Sequence, residues 1–400
     1  MITFDQAVEM ILKNVAPLSY QEIPLSQASS EILFEDIYAE DDLPHFSSSA
    51  MDGYALIAEE TGSAPVTLKI IGVVKAGDKP NIKIEKGQAV KIMTGAPLPK
   101  GTDAIVMVEK TEEKNGQVII KEEVKQGENV RLKGEEIKKG QLALPKGSRL
   151  NPSSISFLAT LGKTKVKVYR KPKVAVLITG NEVVPPEKKV KLGEVRDANS
   201  YGLAAALKEI NIVPLMLGIA RDNPEELRRM IDKGLREVDV FLITGGVSVG
   251  EYDLVKNILS EMKVEQIFWK VAIKPGKPIF FGRKNKKLIF GLPGNPVSVL
   301  ISFLEFVRPA LFKMMGYHNL FLEEKEAVLI DELKKKPGRV NFLRGIIQEK
   351  DSSLYVKSSG LQYSHTLSSF AVADCIIILA ADSVYFKPGT KVKIQILPWR

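Results

Sequence analysis

Three glycine- and proline-rich segments concentrate the groups that suit a polyanion. Leu242-Ile243-Thr244-Gly245-Gly246-Val247-Ser248-Val249-Gly250-Glu251-Tyr252-Asp253 runs from an apolar stretch through a glycine loop to a carboxylate. Lys274-Pro275-Gly276-Lys277-Pro278 places two lysines on a stiffened turn, and Gly291-Leu292-Pro293-Gly294-Asn295-Pro296 opens a long apolar helical pattern. The adjacent Gly245 and Gly246 let backbone N–H groups close on phosphate oxygens. Prolines pre-aim Lys274 and Lys277 and lower their binding cost. Pro293, Gly294, Asn295 and Pro296 lead into that helix, whose free first-turn N–H groups and dipole face whatever sits there. Together this kit suits the holding and cleavage of a phosphoanhydride. Each part also has a plainer use, since a glycine pair makes a tight turn and most lysines are solvated surface charge.

Carboxylates stand at corresponding places. Thr179-Gly180-Asn181-Glu182 follows the apolar run 174–178, Asp222 follows 213–219, and Asp253 closes the glycine loop. Acids converging on one sheet edge suit Mg²⁺, which keeps waters and bridges phosphate oxygens. Asp222 has a competing use as N-cap of the helix begun by Pro224, and Asp253 as cap of its own helix; Glu182 has none. Gly246-Val247-Ser248-Val249-Gly250 also spells the G-x-S-x-G elbow of serine hydrolases, with His318 or His365 as base, so a Ser248 nucleophile is a rival reading. The chain has no G-x-x-x-x-G-K-[ST] loop, which excludes P-loop nucleotide hydrolysis. No G-x-G-x-x-G follows a strand, which argues against a dinucleotide redox cofactor.

A sheet must deliver these groups to one edge. From residue 174 strand and helix patterns alternate: strands at 174–178, 213–219 and 238–244, helices at 200–210, 224–236 and 254–262. A hairpin over 279–281 and 288–290 follows, then a long helix over 297–315. Such alternation predicts a doubly wound parallel sheet with its ligand at the strand C-terminal ends. Beyond 320 the pattern is all-β. Upstream, Thr3 and Gln6 fit a capping box, and 27–145 reads as short β segments with a hairpin pairing 106–109 with 118–121 around Asn115-Gly116. A helix opened by Asn151-Pro152 is expected to pack back on the first helix. The fold class is therefore multidomain α/β plus β. Domain I comprises 1–26 and 146–172, an inserted β-rich domain II covers 27–145, the α/β domain III covers 173–319, and a β-barrel-like domain IV covers 320–400.

Composition narrows the class. Four hundred residues at 44% hydrophobic content suffice for several cores. Cys375 is the only cysteine, which excludes an intrachain disulfide and a cysteine metal cage and fits the cytoplasm. The first residues lack a signal-peptide pattern, and the longest apolar run, 375–381, is far short of the ~18 residues of a membrane span. The net charge of +9 comes from lysines scattered among glutamates, a pattern for anionic small molecules and not for nucleic acid.

Ser49-Ala50-Met51-Asp52-Gly53-Tyr54-Ala55, Ile92-Met93-Thr94-Gly95-Ala96-Pro97, Thr179-Gly180-Asn181-Glu182, the Gly245–Gly250 loop and Gly291-Leu292-Pro293-Gly294-Asn295-Pro296 together resemble the molybdopterin molybdenumtransferases, the MoeA type similar to the E domain of gephyrin. The resemblance spans nearly the whole chain in order. It implies a molybdenum-cofactor-binding type of α/β domain, an elongated homodimer, and a reaction of adenylylated molybdopterin with molybdate that uses Mg²⁺ and releases AMP. Asp52 and Thr94 are implied in a cleft contributed by the second domain. Glu182, Asp222 and Asp253 are implied as catalytic, Glu182 and Asp253 as metal ligands. Gly245, Gly246, Ser248, Lys274, Lys277, Pro293, Gly294, Asn295 and Pro296 are implied in substrate binding. Gly338-Arg339-Val340-Asn341-Phe342-Leu343-Arg344 and Ser364-His365-Thr366-Leu367-Ser368-Ser369-Phe370 resemble the family's anion-contacting segments. They leave open whether Arg339 or Arg344, and Ser368 or Ser369, meets molybdate. Glu136 departs from the Gly-Glu-Asp motif of some relatives. A molybdopterin adenylyltransferase is both a partner and a rival reading, but that family reads Thr-Gly-Gly-Thr-Gly where this chain has Val247-Ser248 after the glycine pair.

Overall fold

Thr3 Oγ1 accepts from the Gln6 N–H at 3.2 Å, and Gln6 Oε1 accepts from the Thr3 N–H at 3.0 Å. This reciprocal box starts helix α1 (Phe4–Lys13), as its sequence predicts. The computed structural model describes residues 1–246 and 254–400. Ser248 and Asp253 lie outside the described residues. Contacts divide the chain into two units, 22–167 and a second formed by 1–21 with 168–400.

The 22–167 unit is built on strands β1 (Gly53–Leu56), β2 (Val66–Val74), β3 (Gln88–Ile92), β4 (Ala104–Met107), β5 (Thr111–Lys114) and β6 (Gln117–Ile120). They form a six-stranded sheet in the order β4-β1-β3-β2-β6-β5. The Asn115-Gly116 turn forms with both residues at positive φ, but it joins β6 to β5. The expected partner segment, 106–109, belongs instead to β4 and its exit, and β4 pairs with β1. The error has a simple cause: Thr111–Lys114 is polar and exposed, so alternation did not mark it as a strand. Helix α2 (Pro152–Thr160) carries the predicted Asn151 cap. Within its unit, Phe157 and Leu161 pack against Ala39, Leu43 and Ile137.

In the second unit the alternation is realised as β7 (Val174–Thr179), α3 (Asn199–Glu209), β8 (Leu215–Ala220), α4 (Pro224–Glu237), β9 (Val240–Thr244) and α5 (Leu254–Glu261). These are followed by β10 (Glu265–Trp269), β11 (Ile273–Lys274), β12 (Phe280–Lys284) and β13 (Lys287–Leu292). The sheet order is β8-β7-β9-β13-β12-β10, with β8, β7, β9 and β13 parallel and the last two antiparallel. All six residues of β7 are buried. Val174, Val176 and Ile178 face one core and Ala175 and Leu177 the other, which is why the strand reads as a continuous apolar run. The expected long helix is α6 (Pro296–Ser302) and α7 (Arg308–Met314) joined by a π turn, Phe303–Val307. Pro309 explains the break, since it offers no N–H to the carbonyl of Glu305 four residues back.

Beyond α7, strands β14 (Glu324–Leu329), β15 (Val340–Lys350), β16 (Ser353–Ser358), β17 (Cys375–Leu379) and β18 (Lys391–Ile396) close a five-stranded barrel, with a short helix α8 (Leu367–Ala371) before β17. β11 adds to β15 in parallel register and so ties the α/β sheet region to the barrel. No described helix is long and apolar enough to cross a membrane.

Candidate active site

The parallel strands align their C-terminal ends. Ile178 pairs with Thr244, Thr244 with Leu292, and Thr179 with Ala220. The chain visits β7, then β8 on one side, then β9 on the other, so strand order reverses between β7 and β9. Loops leaving neighbouring strands there diverge and open a crevice. A cleft of about 950 Å³ lies at this point, lined by Gly180, Asn181, Glu182, Asp222, Gly245, Gly246, Pro293, Gly294, Asn295 and Pro296 among others. Eight of the residues expected at the site thus come together from four separate segments, alongside Gly180 and Asn181.

Backbone geometry explains the glycines. Gly245 has φ 84°, and a Cβ there would stand 2.6 Å from the carbonyl oxygen of Thr179, whose hydroxyl donates to the Thr244 carbonyl at 3.0 Å. The two loops therefore touch backbone to backbone. Gly180 has φ 139°, and a Cβ there would lie 2.6 Å from a Glu182 carboxylate oxygen. The carboxylate of Glu182 folds over the bare glycine.

Asp222 does not cap α4. The cap is Asn223, whose Oδ1 accepts from the N–H groups of Glu225 and Glu226, both at 3.0 Å. Asp222 instead pairs with Asn181: its Oδ2 accepts from the Asn181 N–H at 3.2 Å, and its own N–H donates to Asn181 Oδ1 at 3.1 Å. Arg221 Nη1 donates to the Asn181 carbonyl at 2.7 Å. This lock holds the Glu182 and Asp222 loops together, and Arg221 was not among the residues the sequence singled out. Among the described residues no cluster of three metal-ligating side chains occurs. Two carboxylates on one cleft nevertheless fit Mg²⁺, which commonly takes one or two protein carboxylates and fills its shell with water and phosphate oxygens.

The opposite wall contains residues the sequence reading missed. Asn199, at the start of α3, donates from Nδ2 to the Gly294 carbonyl at 2.9 Å, while its Oδ1 is buried without a partner. Asp197 accepts from the Ser200 N–H at 3.0 Å and from its hydroxyl. Asn295 does not cap α6 with its side chain but donates to Ser364 Oγ at 3.0 Å, and His365 lines the cleft beside it. Polar residues of the Asp197-Ala198-Asn199-Ser200 run, just before an apolar helix, were the available signal.

Neither Lys274 nor Lys277 is among the residues lining this cleft; Pro278 is. Lys274 is exposed on β11, where it pairs with Asn341 as Ile273 pairs with Val340. Arg339, immediately before Val340, thereby becomes a neighbour of the Lys274 strand. Arg344 and Ser369 are consumed internally. Arg344 is fully buried, donates from Nε and Nη2 to Ser369 Oγ at 3.2 and 3.0 Å, and donates further to the carbonyls of Leu361 and Tyr363. Burial lowers its pKa to about 10. Arg339 is half-buried and Ser368 exposed, so these are the members of each pair that solvent reaches.

Within the 22–167 unit, Asp52 and Thr94 are brought together. Asp52 Oδ1 accepts from the Thr94 N–H at 2.7 Å and its hydroxyl at 2.8 Å, and these bonds hold the Asp52 carboxyl below its ordinary pKa.

A mostly parallel sheet with a carboxylate-lined cleft at its switch point, joined to a closed barrel, defines a multidomain α/β protein suited to anionic ligands. Family models match residues 2–162 as the MoeA N-terminal region (domain I and II), 175–313 as a probable molybdopterin binding domain, and 326–397 as the MoeA C-terminal region (domain IV). The molybdopterin molybdenumtransferase of Haemophilus influenzae is 36% identical over 400 residues, covering 99% of this chain and 98% of its own length. That of Staphylococcus epidermidis is 34% identical, covering 98% and 95%. A solved MoeA molybdopterin-biosynthesis protein of Pyrococcus horikoshii superposes with a TM-score of 0.87 at 35% identity, over 99% of both chains. The chain belongs to the MoeA family of molybdopterin molybdenumtransferases.

Proposed function

We propose that this chain is a transferase of molybdenum cofactor biosynthesis that inserts molybdenum from molybdate into adenylylated molybdopterin, with Mg²⁺-dependent release of AMP. The observation that carries this is the cleft at the β7/β9 switch point, where Glu182 and Asp222 face a glycine loop in a chain of this family. Both substrates are anions, and two unit charges ~5 Å apart repel by roughly 3 kcal/mol at an effective dielectric of 20. The chain answers with the backbone N–H of Gly246, the Gly245 N–H being taken by the Leu292 carbonyl at 3.2 Å, and with cations. Glu182 and Asp253 would hold Mg²⁺, which polarises phosphoryl oxygens when bound. Asp222 orients the Glu182 loop through Asn181. Lys274, Arg339 and Ser368 contact molybdate, supported by the exposure of Lys274 and Ser368, the half-exposed position of Arg339 and the β11–β15 pairing. Lys277 adds charge on the same turn. The protein acts as a homodimer, receives its substrate from a molybdopterin adenylyltransferase, and uses Asp52 and Thr94 in the insertion step.

Incubation of the purified chain with adenylylated molybdopterin, Mg²⁺ and molybdate tests the proposal. AMP and active molybdenum cofactor should appear together, and neither should form without molybdate. Unchanged adenylylated molybdopterin after prolonged incubation would remove the assignment.

A further inference from the structure

Arg339 is reached through a turn whose backbone is closed around one ammonium group. Lys335 Nζ donates to the carbonyls of Ala381 at 2.9 Å, Arg339 at 3.1 Å and Lys336 at 3.4 Å. An ammonium has three donors, so the group is fully committed to backbone. The backbone around it is pinned as well. The Lys335 N–H donates to the Val384 carbonyl at 2.9 Å, the Gly338 N–H to the Ala381 carbonyl at 2.9 Å, and Leu333–Lys334 pairs with Tyr385–Phe386 as a two-stranded ribbon. Burial lowers the pKa of Lys335, the Asp382 carboxylate raises it, and the Arg339 guanidinium lowers it. A solvated surface lysine has none of these features, and a long flexible side chain is held here at an entropic cost that its three bonds must offset.

The carbonyl gripped is that of Arg339 itself. One residue on, Val340 enters β15 in register with Ile273, and Asn341 with Lys274. We propose that Lys335 is a positioning residue for the oxyanion substrate: by gripping the Arg339 and Ala381 carbonyls it fixes the backbone from which Arg339 projects, next to the strand that carries Lys274. A preset guanidinium loses less freedom on binding than one on a free turn, so the gain falls on anion affinity. The inference rests on the reading above that Arg339 contacts molybdate.

The test is a double-mutant cycle on the full-length chain, with molybdate binding followed by calorimetry and molybdate KM and kcat by AMP release. Lys335→Met should weaken molybdate binding about tenfold, with most of the kinetic loss in KM. Arg339→Ala should weaken it at least as much, and the double variant should be no worse than Arg339→Ala alone. Lys335→Arg keeps the charge but cannot fan three donors over the same carbonyls, and it should also bind weakly; it carries the test if Lys335→Met fails to fold. Native affinity in both Lys335 variants beside an impaired Arg339→Ala would overturn the positioning role alone. Additive losses would overturn it too, by making Lys335 a direct contact. Native affinity in Arg339→Ala would overturn the underlying anion-site reading.

Discussion

Asp222 and Asn223 are chemically similar neighbours with different tasks. Asn223 closes the first turn of α4, and Asp222 faces the cleft and pairs with Asn181. Asn223→Ala should cost about 1 kcal/mol in chemical denaturation, the usual loss of an N-cap, with little effect on AMP release. Asp222→Asn should show the reverse: near-native stability and AMP release down roughly 100-fold, as when a charge-stabilising group is removed from a reaction centre. If Asp222→Asn turns over at the native rate, Asp222 is a loop fastener only. Arg344 illustrates a candidate reassigned by burial. Its replacement by Met would strand the carbonyls of Leu361 and Tyr363, and a stability loss of about 3 kcal/mol is expected in urea titration.

The helical stretch from Pro296 to Met314 starts at the cleft and ends in the core shared with the barrel. Its π turn buries Glu305, which accepts only a 3.4 Å hydrogen bond from Gln395 of β18 on one oxygen and none on the other. Burial pushes its pKa up to about 8, helped by Glu324 and opposed by Gln395 and Arg308. The sign follows from linkage. The unfolded chain ionises Glu305 near 4.5 and the folded chain near 8, so the stability that the neutral acid contributes is complete below 4.5 and is lost as pH rises towards 8. Glu305→Gln should remove this slope. Relative to the native chain it should gain stability, on the order of a few kcal/mol, between pH 5 and 8. Parallel stability curves for the two proteins across that range would show that Glu305 stays ionised when folded.

Substrate anions and a basic chain meet in solvent that contains salt. Lys274→Ala should weaken molybdate binding at low ionic strength, and the deficit should shrink as salt rises, because exposed charges are screened within about 10 Å at 0.1 M. An affinity unchanged at low salt would make Lys274 ordinary surface charge. Asp52 lies in the 22–167 unit and Glu182 in the other. Asp52→Ala and Glu182→Gln should each be inactive yet folded, and mixing the two should restore part of the activity through heterodimers. A confirmed heterodimer without activity would mean that each reaction centre draws on one chain alone.

The amino-acid sequence by itself determined what depends on near neighbours. The caps at Thr3 and Asn151, the doubly covered strands at 174–178 and 238–244, and the glycine loops at the strand ends all follow from bonds and periodicity within a few residues. The motifs also carried the family, because five of them occur in order along most of the chain. Tertiary structure decided which of two similar groups is free. Asp222 faces the cleft because Asn223 caps the helix and Asn181 claims the Asp222 loop. Arg339 stays half-exposed at its turn, whereas Arg344 is buried and spent on Ser369 and three successive carbonyls. Lys274 becomes a neighbour of Arg339 only through the β11–β15 pair, and Lys335 acquires its grip only when residues 381–386 fold against 333–339. A side chain's type is written in its own position, but its partners come from distant segments, and burial and hydrogen bonding by those partners set what it can do.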